Sequence, residues 1–346
     1  MLHIIKKNLK FFKNKSIIIT GGTGSLGNAL VKKLLGLKVL KKIIIYSRDE
    51  LKQSEMIKKY SSMDKLNQLR FFIGDVRDYE RLNLAFKQVD LVIHAAALKH
   101  VDMAEYNPME YIKTNVNGAS NVVKASLENN VQKVIALSTD KAVNPINLYG
   151  ASKLASDKIF VSANNIAGSN KTRFSVVRYG NVINSSGSIL PFFLKINKSN
   201  QTFFPITHNE MTRFFITLEQ STNLIINSFN NTYGGEIIIP KIPTIKIIDI
   251  AKAINAEKKI KIMGMRPGEK LHEILCSRDE ANLTLEFKNY YILMPTIKYI
   301  DGKINFFKNK NGEKGKKVKQ NFEYNSYKNK DYISFKLLKK IISSLN

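Results

Sequence analysis

Residues 16–35 read SIIITGGTGSLGNALVKKLL, and this stretch decides the fold. Ser16 to Thr20 is dominated by isoleucine, the make-up of a short buried strand. Gly21-Gly-Thr-Gly-Ser-Leu-Gly27 follows at once, and a helix is expected from Asn28 to about Leu35. Strand, glycine loop and helix in that order are what a dinucleotide-binding loop requires. Gly21 permits the tight turn, Gly24 lets the backbone approach a pyrophosphate, and Gly27 lets the helix pack closely. Thr23, Ser25 and Leu26 fill out the same cradle. Free N–H groups and the dipole at the helix N-terminus favour an anion there.

Outward from this unit, strand and helix signals alternate. Lys42 to Tyr46, Arg70 to Gly74, Asp90 to His94, Val134 to Leu137 and Phe174 to Arg178 read as strands. Asn107-Pro108 starts a helix that runs to about Glu128. Alternation of this kind predicts a doubly wound parallel sheet of the Rossmann type, an α/β fold. Ligands in such sheets bind beyond the carboxyl ends of the strands. At these ends stand Ser47, Arg48, Asp75, Val76, Ala95, Lys99 and Val182, all candidates for cofactor contact. The second strand ends in Ser47-Arg48, not in the acid that holds a free ribose 2′-hydroxyl. Arg48, with Lys52 from the next turn, suits a 2′-phosphate and points to NADP. The other reading leaves Arg48 as a solvated charge and gives the ribose to Asp49 or Glu50.

The second decisive stretch is Ser138 to Lys153, STDKAVNPINLYGASK. Tyr149 and Lys153 are spaced i,i+4 and share one helix face. A cation near a phenol lowers its pKa, which would make Tyr149 a base for a sugar hydroxyl. Thr139, Asp140 and Lys141 stand at the end of a core strand and join the candidate catalytic set. Lys141 is either a general base, which requires a depressed pKa, or the partner of Asp140 in a plain salt bridge.

After Val182 the alternation loosens. Pro191 and Pro205 bracket a short apolar helix, Met211 to Phe214 leads into another helix, and Gly235 to Ile239 is a strand. A smaller, interleaved substrate domain is expected: 14–182 and 213–240 form the cofactor domain, 183–212 and 241–300 the substrate domain, and 301–346 a tail. Residues 1–13 read as a loose leader. The tail is lysine-rich and ends in an amphipathic helix from about Tyr332, as a lid, a strap or a partly disordered segment.

The chain has 346 residues, 44% of them hydrophobic, enough for a sizeable core. Its net charge is +27. Lysines spread over the whole length indicate compositional bias, because a nucleic-acid footprint should be clustered. No nucleic-acid partner is expected. One cysteine, Cys276, rules out an internal disulfide and fits a reducing cytoplasm. The five histidines are scattered, so no metal site is expected. No apolar run approaches a membrane span, and the basic start lacks a secretory core.

The chain resembles the extended short-chain dehydrogenase/reductase superfamily through Thr20 to Gly27 and Tyr149-Gly-Ala-Ser-Lys153. Within it, the chain is similar to the configuration-inverting UDP-N-acetylglucosamine 4,6-dehydratases of pseudaminic acid synthesis. YSRDELKQSEM, HAAALKHVDMAEYNP, STDKAVNPINLYGASK, RYGNV, MTRF and RPGEKLHE carry the likeness, from about Asn14 to the C-terminal end. The resemblance implies UDP-N-acetylglucosamine as substrate, NADP as a recycled cofactor and a homo-oligomer. It implies Tyr149 as the group that starts oxidation at C4, Lys141 as base at C5 and Asp140 as acid at the C6 oxygen. Asn181, Arg213, Arg266 and Glu269 then match positions that hold the UDP part, and Lys99 serves cofactor or substrate. Two alternatives stand beside this: a retaining dehydratase or 4-epimerase of a UDP-sugar, and a non-catalytic basic Rossmann domain.

Overall fold

A computed structural model describes residues 9–168, 172–185, 187–297 and 304–343. The Rossmann half is laid down in order: β1 (Ser16–Thr20), α1 (Ser25–Leu35), β2 (Lys42–Ser47), α2 (Glu50–Tyr60), β3 (Leu69–Ile73), α3 (Tyr79–Ala85) and β4 (Leu91–His94). A short helix, α4 (Val101–Tyr106), precedes α5 over 108–128, whose middle turn, Ile112–Asn117, is a π-helix. Then come β5 (Lys133–Thr139), α6 (Leu148–Ala167) and β6 (Arg173–Tyr179). All five residues of β1 are buried, as expected of a strand covered on both faces. On α1, Leu30, Val31, Leu34 and Leu35 turn inward at helical spacing. The helix begins at Ser25, three residues earlier than its apolar period suggests, because the glycine loop is short.

The second half contributes β7 (Asn181–Val182), α7 (Ile189–Asn197), β8 (Phe203–Ile206), β9 (Thr212–Ile216), α8 (Leu218–Asn231) and β10 (Ile237–Pro240). It continues with β11 (Thr244–Lys246), α9 (Ile247–Ile254), β12 (Lys259–Ile262), β13 (Ile274–Cys276), β14 (Thr284–Glu286) and β15 (Tyr290–Leu293). The last elements are β16 (Lys316–Lys317), β17 (Tyr324–Asn325) and α10 (Phe335–Ser343).

Ten strands form one sheet in the order β16-β14-β15-β10-β6-β5-β4-β1-β2-β3. From β3 to β10 every neighbour pair is parallel, and β15, β14 and β16 close the far edge antiparallel. The order 3-2-1-4-5-6 is that of the Rossmann fold. A separate apolar cluster joins Phe193, Phe204, Phe215 and Ile250 to Leu338 and Ile342. Around it lie the small sheets β11-β9-β7 and β12-β8.

Three expectations need correction and a fourth is refined. The leader is not loose over its described part: residues 9–12 are helical, Phe12 is fully buried, and Phe11 and Phe12 pack on Phe229 of α8. Residues 1–8 lie outside the described residues. Pro191 sits inside α7, in its first turn, where its missing N–H has no helical partner to lose. Met211 to Phe214 does lead to a helix, Leu218–Asn231, but through a strand not read from the sequence, the buried Thr212–Ile216. The tail is woven into the body: β16 extends the main sheet, β17 pairs with β13, and α10 buries Leu338 and Ile342. The expected boundary between 300 and 301 lies outside the described residues.

Candidate active site

The loops at the carboxyl ends of β1 to β6 enclose a cleft of about 690 Å³. Every candidate cofactor contact named from the sequence lines it: Gly21, Thr23, Gly24, Ser25, Leu26, Gly27, Ser47, Arg48, Lys52, Asp75, Val76, Ala95, Lys99, Tyr149, Lys153 and Val182. His100, given no role from the sequence, lines it too. Gly21 has φ +68°, and a Cβ there would come 2.8 Å from Ala96 Cα. A Cβ on Gly27 would lie 2.2 Å from Gly22 O, so the helix closes on the loop's own backbone. Gly24 caps α1 with no side-chain bond. This glycine cradle fits a dinucleotide pyrophosphate.

At the ribose end, Arg48 Nη1 stands 3.6 Å from Asp75 Oδ2, and Arg77 Nη2 is 2.7 Å from the same oxygen. Burial would raise the Asp75 pKa, but Arg77 and then Arg48 outweigh it and hold it low. Asp49 caps α2: its carboxylate accepts from Lys52 N at 2.9 Å and Lys52 Nζ at 2.5 Å. The pair engages Lys52 as much as Asp49, and both side chains are exposed.

The reaction end is built by β5 and α6. Asn147 caps α6, so Tyr149 and Lys153 fall on its first two turns facing the cleft. Thr139 Oγ1 donates to Asp140 Oδ1 at 2.9 Å, and the Thr139 hydroxyl is among the groups that pull the Tyr149 pKa down. Asp140 is fully buried beneath the cleft, and burial raises its pKa against the pull of Lys141. Lys141 Nζ lies 3.1 Å from Asp140 Oδ1 and 3.1 Å from Glu273 Oε1.

Two electrostatic expectations fail here. Burial alone would lower the Lys141 pKa, but Asp140 and Glu273 outweigh it and hold the amine above its ordinary value. In the ligand-free protein Lys141 is therefore a bridged ammonium. Burial also pushes the Tyr149 phenol up to about 12, and Lys141 is the leading charge that pulls it down. Lys153 was expected in that role. Its own pKa is lowered by burial, with Asp157 opposing.

Substrate candidates are divided. Asn181 lines the cleft. Arg213 sits behind it, with Nε 3.7 Å from Glu273 Oε1 and Nη2 3.5 Å from Glu269 Oε1. Arg266 is exposed and does not line the cleft. Lys99 lines the cleft, and burial lowers its pKa.

Glu273 was missed. Its one signal in the sequence was a carboxylate closing the basic stretch Arg266 to His272. A second buried network was also missed: Arg178 meets Asp157 at 3.4 Å and Glu280 at 3.1 Å, while Ser138 Oγ donates to Asp157 at 2.7 Å. Among the described residues, Thr114 Oγ1, Asn181 Oδ1 and Ser188 Oγ are buried without a partner, and all three residues line the cleft. Such orphans mark where a ligand would complete the bonding.

The sequence pattern of one family, described as polysaccharide biosynthesis protein, matches residues 17–295. The chain belongs to that family. A relative is the UDP-N-acetylglucosamine 4,6-dehydratase (inverting) of Campylobacter jejuni, 56% identical over 96% of this chain and 98% of that one. A UDP-glucose 4-epimerase of Rickettsia bellii is 43% identical over 81% of this chain and 83% of that one. Among solved structures, Pen from Bacillus thuringiensis superposes with a TM-score of 0.86 at 34% identity, covering 97% of this chain and 99% of that one. The dTDP-glucose 4,6-dehydratase DesIV of Streptomyces venezuelae, solved with NAD and TYD bound, shares the fold, with a TM-score of 0.65 at 20% identity over 74% of this chain and 86% of that one. Among the described residues no helix is long and apolar enough to cross a membrane.

Proposed function

We propose that this chain is an inverting UDP-N-acetylglucosamine 4,6-dehydratase. It forms UDP-2-acetamido-2,6-dideoxy-β-L-arabino-hexos-4-ulose, the first step towards pseudaminic acid. The observation that carries this reading is the Asp140–Lys141 pair beside Tyr149, with Lys141 3.1 Å from Asp140. A simple epimerase needs no acid–base pair there to expel the C6 oxygen.

The cofactor in this reading is NADP, with Arg48 and Lys52 at its 2′-phosphate. When bound, it supplies the hydride acceptor at C4 and the donor at C6, and its charge favours a neutral Lys141. Tyr149 takes the C4 hydroxyl proton, aided by the Thr139 hydroxyl. Lys153, buried on the same face of α6, orients the ribose beside it. Lys141, as the free amine, takes the C5 proton that the new ketone has acidified. Asp140, whose pKa burial raises, passes a proton to the departing C6 oxygen, which leaves as water. Reprotonation at C5 from the opposite face inverts the centre. Asn181, Arg213, Arg266, Glu269 and Lys99 hold the UDP part, the arginines at the diphosphate. The protein acts in the cytoplasm as a homo-oligomer, with neither nucleic acid nor membrane as partner.

The test is incubation with UDP-N-acetylglucosamine and NADP, followed by proton NMR over time. A β-L-arabino 4-keto-6-deoxy product supports the reading. A D-xylo product makes the enzyme retaining, and UDP-N-acetylgalactosamine makes it an epimerase.

A further inference from the structure

Lys141 Nζ lies between two carboxylates from distant parts of the chain, Asp140 Oδ1 and Glu273 Oε1, each at 3.1 Å. Asp140 is the next residue on the same backbone and follows Lys141 wherever it goes. Glu273 is held independently. Its N–H donates to Ser326 Oγ at 2.9 Å, and its carbonyl accepts from Ser326 N at 2.8 Å. Ser326 is itself buried and bonds Thr212 Oγ1 at 2.7 Å. The neighbouring residue Ile274 pairs with Asn325 across β13 and β17. The tail therefore clamps the backbone of Glu273 on both sides. The side chain is about 2% exposed, its Oε2 has no hydrogen-bond partner among the described residues, and its Oε1 also stands 3.7 Å from Arg213 Nε.

We infer that Glu273, fixed by the C-terminal strand β17, is the positioning residue that holds the Lys141 amine at the substrate's C5. This rests on the proposed dehydratase reading. A buried carboxylate costs stability unless cations and hydrogen bonds surround it. Lys141, Arg213 and Lys270 supply the cations here and keep Glu273 ionised against its burial. The same carboxylate raises the proton affinity of Lys141, so it tunes the amine as well as aiming it. Arg213 on the same oxygen ties the base to a residue proposed to hold the diphosphate.

The test compares wild type, Glu273→Gln and Glu273→Asp. In Glu273→Gln, kcat should fall about 10²-fold, the effect of roughly 1 Å of misplacement, while KM changes little. Absorbance at 340 nm should build up on mixing with substrate, because Tyr149 still starts oxidation while C5 deprotonation lags. The ascending limb of the pH–rate profile should move to lower pH, since removing an anion lowers the proton affinity of Lys141. Glu273→Asp should keep that limb near its wild-type position yet lose kcat, and it carries the test if the glutamine variant does not fold. A readout without turnover is acetic anhydride labelling of Lys141 in the ligand-free protein, followed by peptide mass spectrometry. At fixed pH the glutamine variant should label about tenfold faster, the factor one pKa unit gives. Wild-type kcat with unchanged labelling in Glu273→Gln overturns the inference. Absence of any 4-keto product with the unmodified protein instead overturns the dehydratase reading, and the labelling still judges Glu273.

Discussion

Asn147 Nδ2 donates to Gly268 O at 2.7 Å, while Asn147 Oδ1 accepts from Gly150 N at 2.7 Å. One side chain thus caps the helix that carries Tyr149 and anchors the Arg266–Lys270 turn over it. Gly268 has φ +73°, a conformation that side chains resist, so the turn presents its carbonyl at little cost. Asn147→Ala should lower unfolding free energy by about 1 kcal/mol, the usual worth of a cap. Urea denaturation measures this. It should also raise KM for the UDP-sugar, which a lost cap alone does not do.

Arg48 and Lys52 predict a preference for NADP over NAD, measured by isothermal titration. Arg48→Ala should narrow it. Equal affinity for the two cofactors in the unmodified protein would contradict the assignment.

Tyr149→Phe should cut turnover by about 10²–10⁴-fold, the range for a positioned proton-transfer group. NADP binding should stay near normal. A variant that keeps most of its activity would move the C4 proton to another group.

Label transfer tests Lys141. In deuterium oxide one deuterium should appear at C5 of the first-formed product, and a C4 deuterium of the substrate should reappear at C6. Lys141→Ala should stop elimination while still allowing reduction of bound NADP. Full activity in that variant would reduce Lys141 to a salt-bridge residue.

His94 makes stability pH-dependent. Its ring is buried against Phe160, Nδ1 meets Thr20 Oγ1 at 2.8 Å, and burial, aided by Lys153, lowers its pKa to about 3. The unfolded chain binds a proton near pH 6.5 and the folded one does not. Its contribution is whole above that pH and is lost as pH falls towards 3. Urea midpoints should therefore drop between pH 7.5 and 5, and less in His94→Gln.

The strand–loop–helix at 16–35, with the strand and helix signals that alternate after it, made the Rossmann sheet legible in the sequence. Local backbone geometry repeats, so a glycine loop between a β-branched run and a helix has few solutions. For the same reason the i,i+4 spacing of Tyr149 and Lys153 placed both on one face, and the strand ends collected the cofactor candidates in one cleft. Tertiary structure alone decided the meeting of Glu273 with Lys141 and the clamp by Ser326. These pairs join segments far apart in sequence, and no local period encodes that. The packing of Phe12 on Phe229 and the place of the tail in the main sheet are of the same kind. The directions of the pKa shifts at Lys141 and Tyr149 also came only from the fold. A pKa depends on which charges lie within a few ångströms and how much water is excluded, and both quantities arise only when the chain packs.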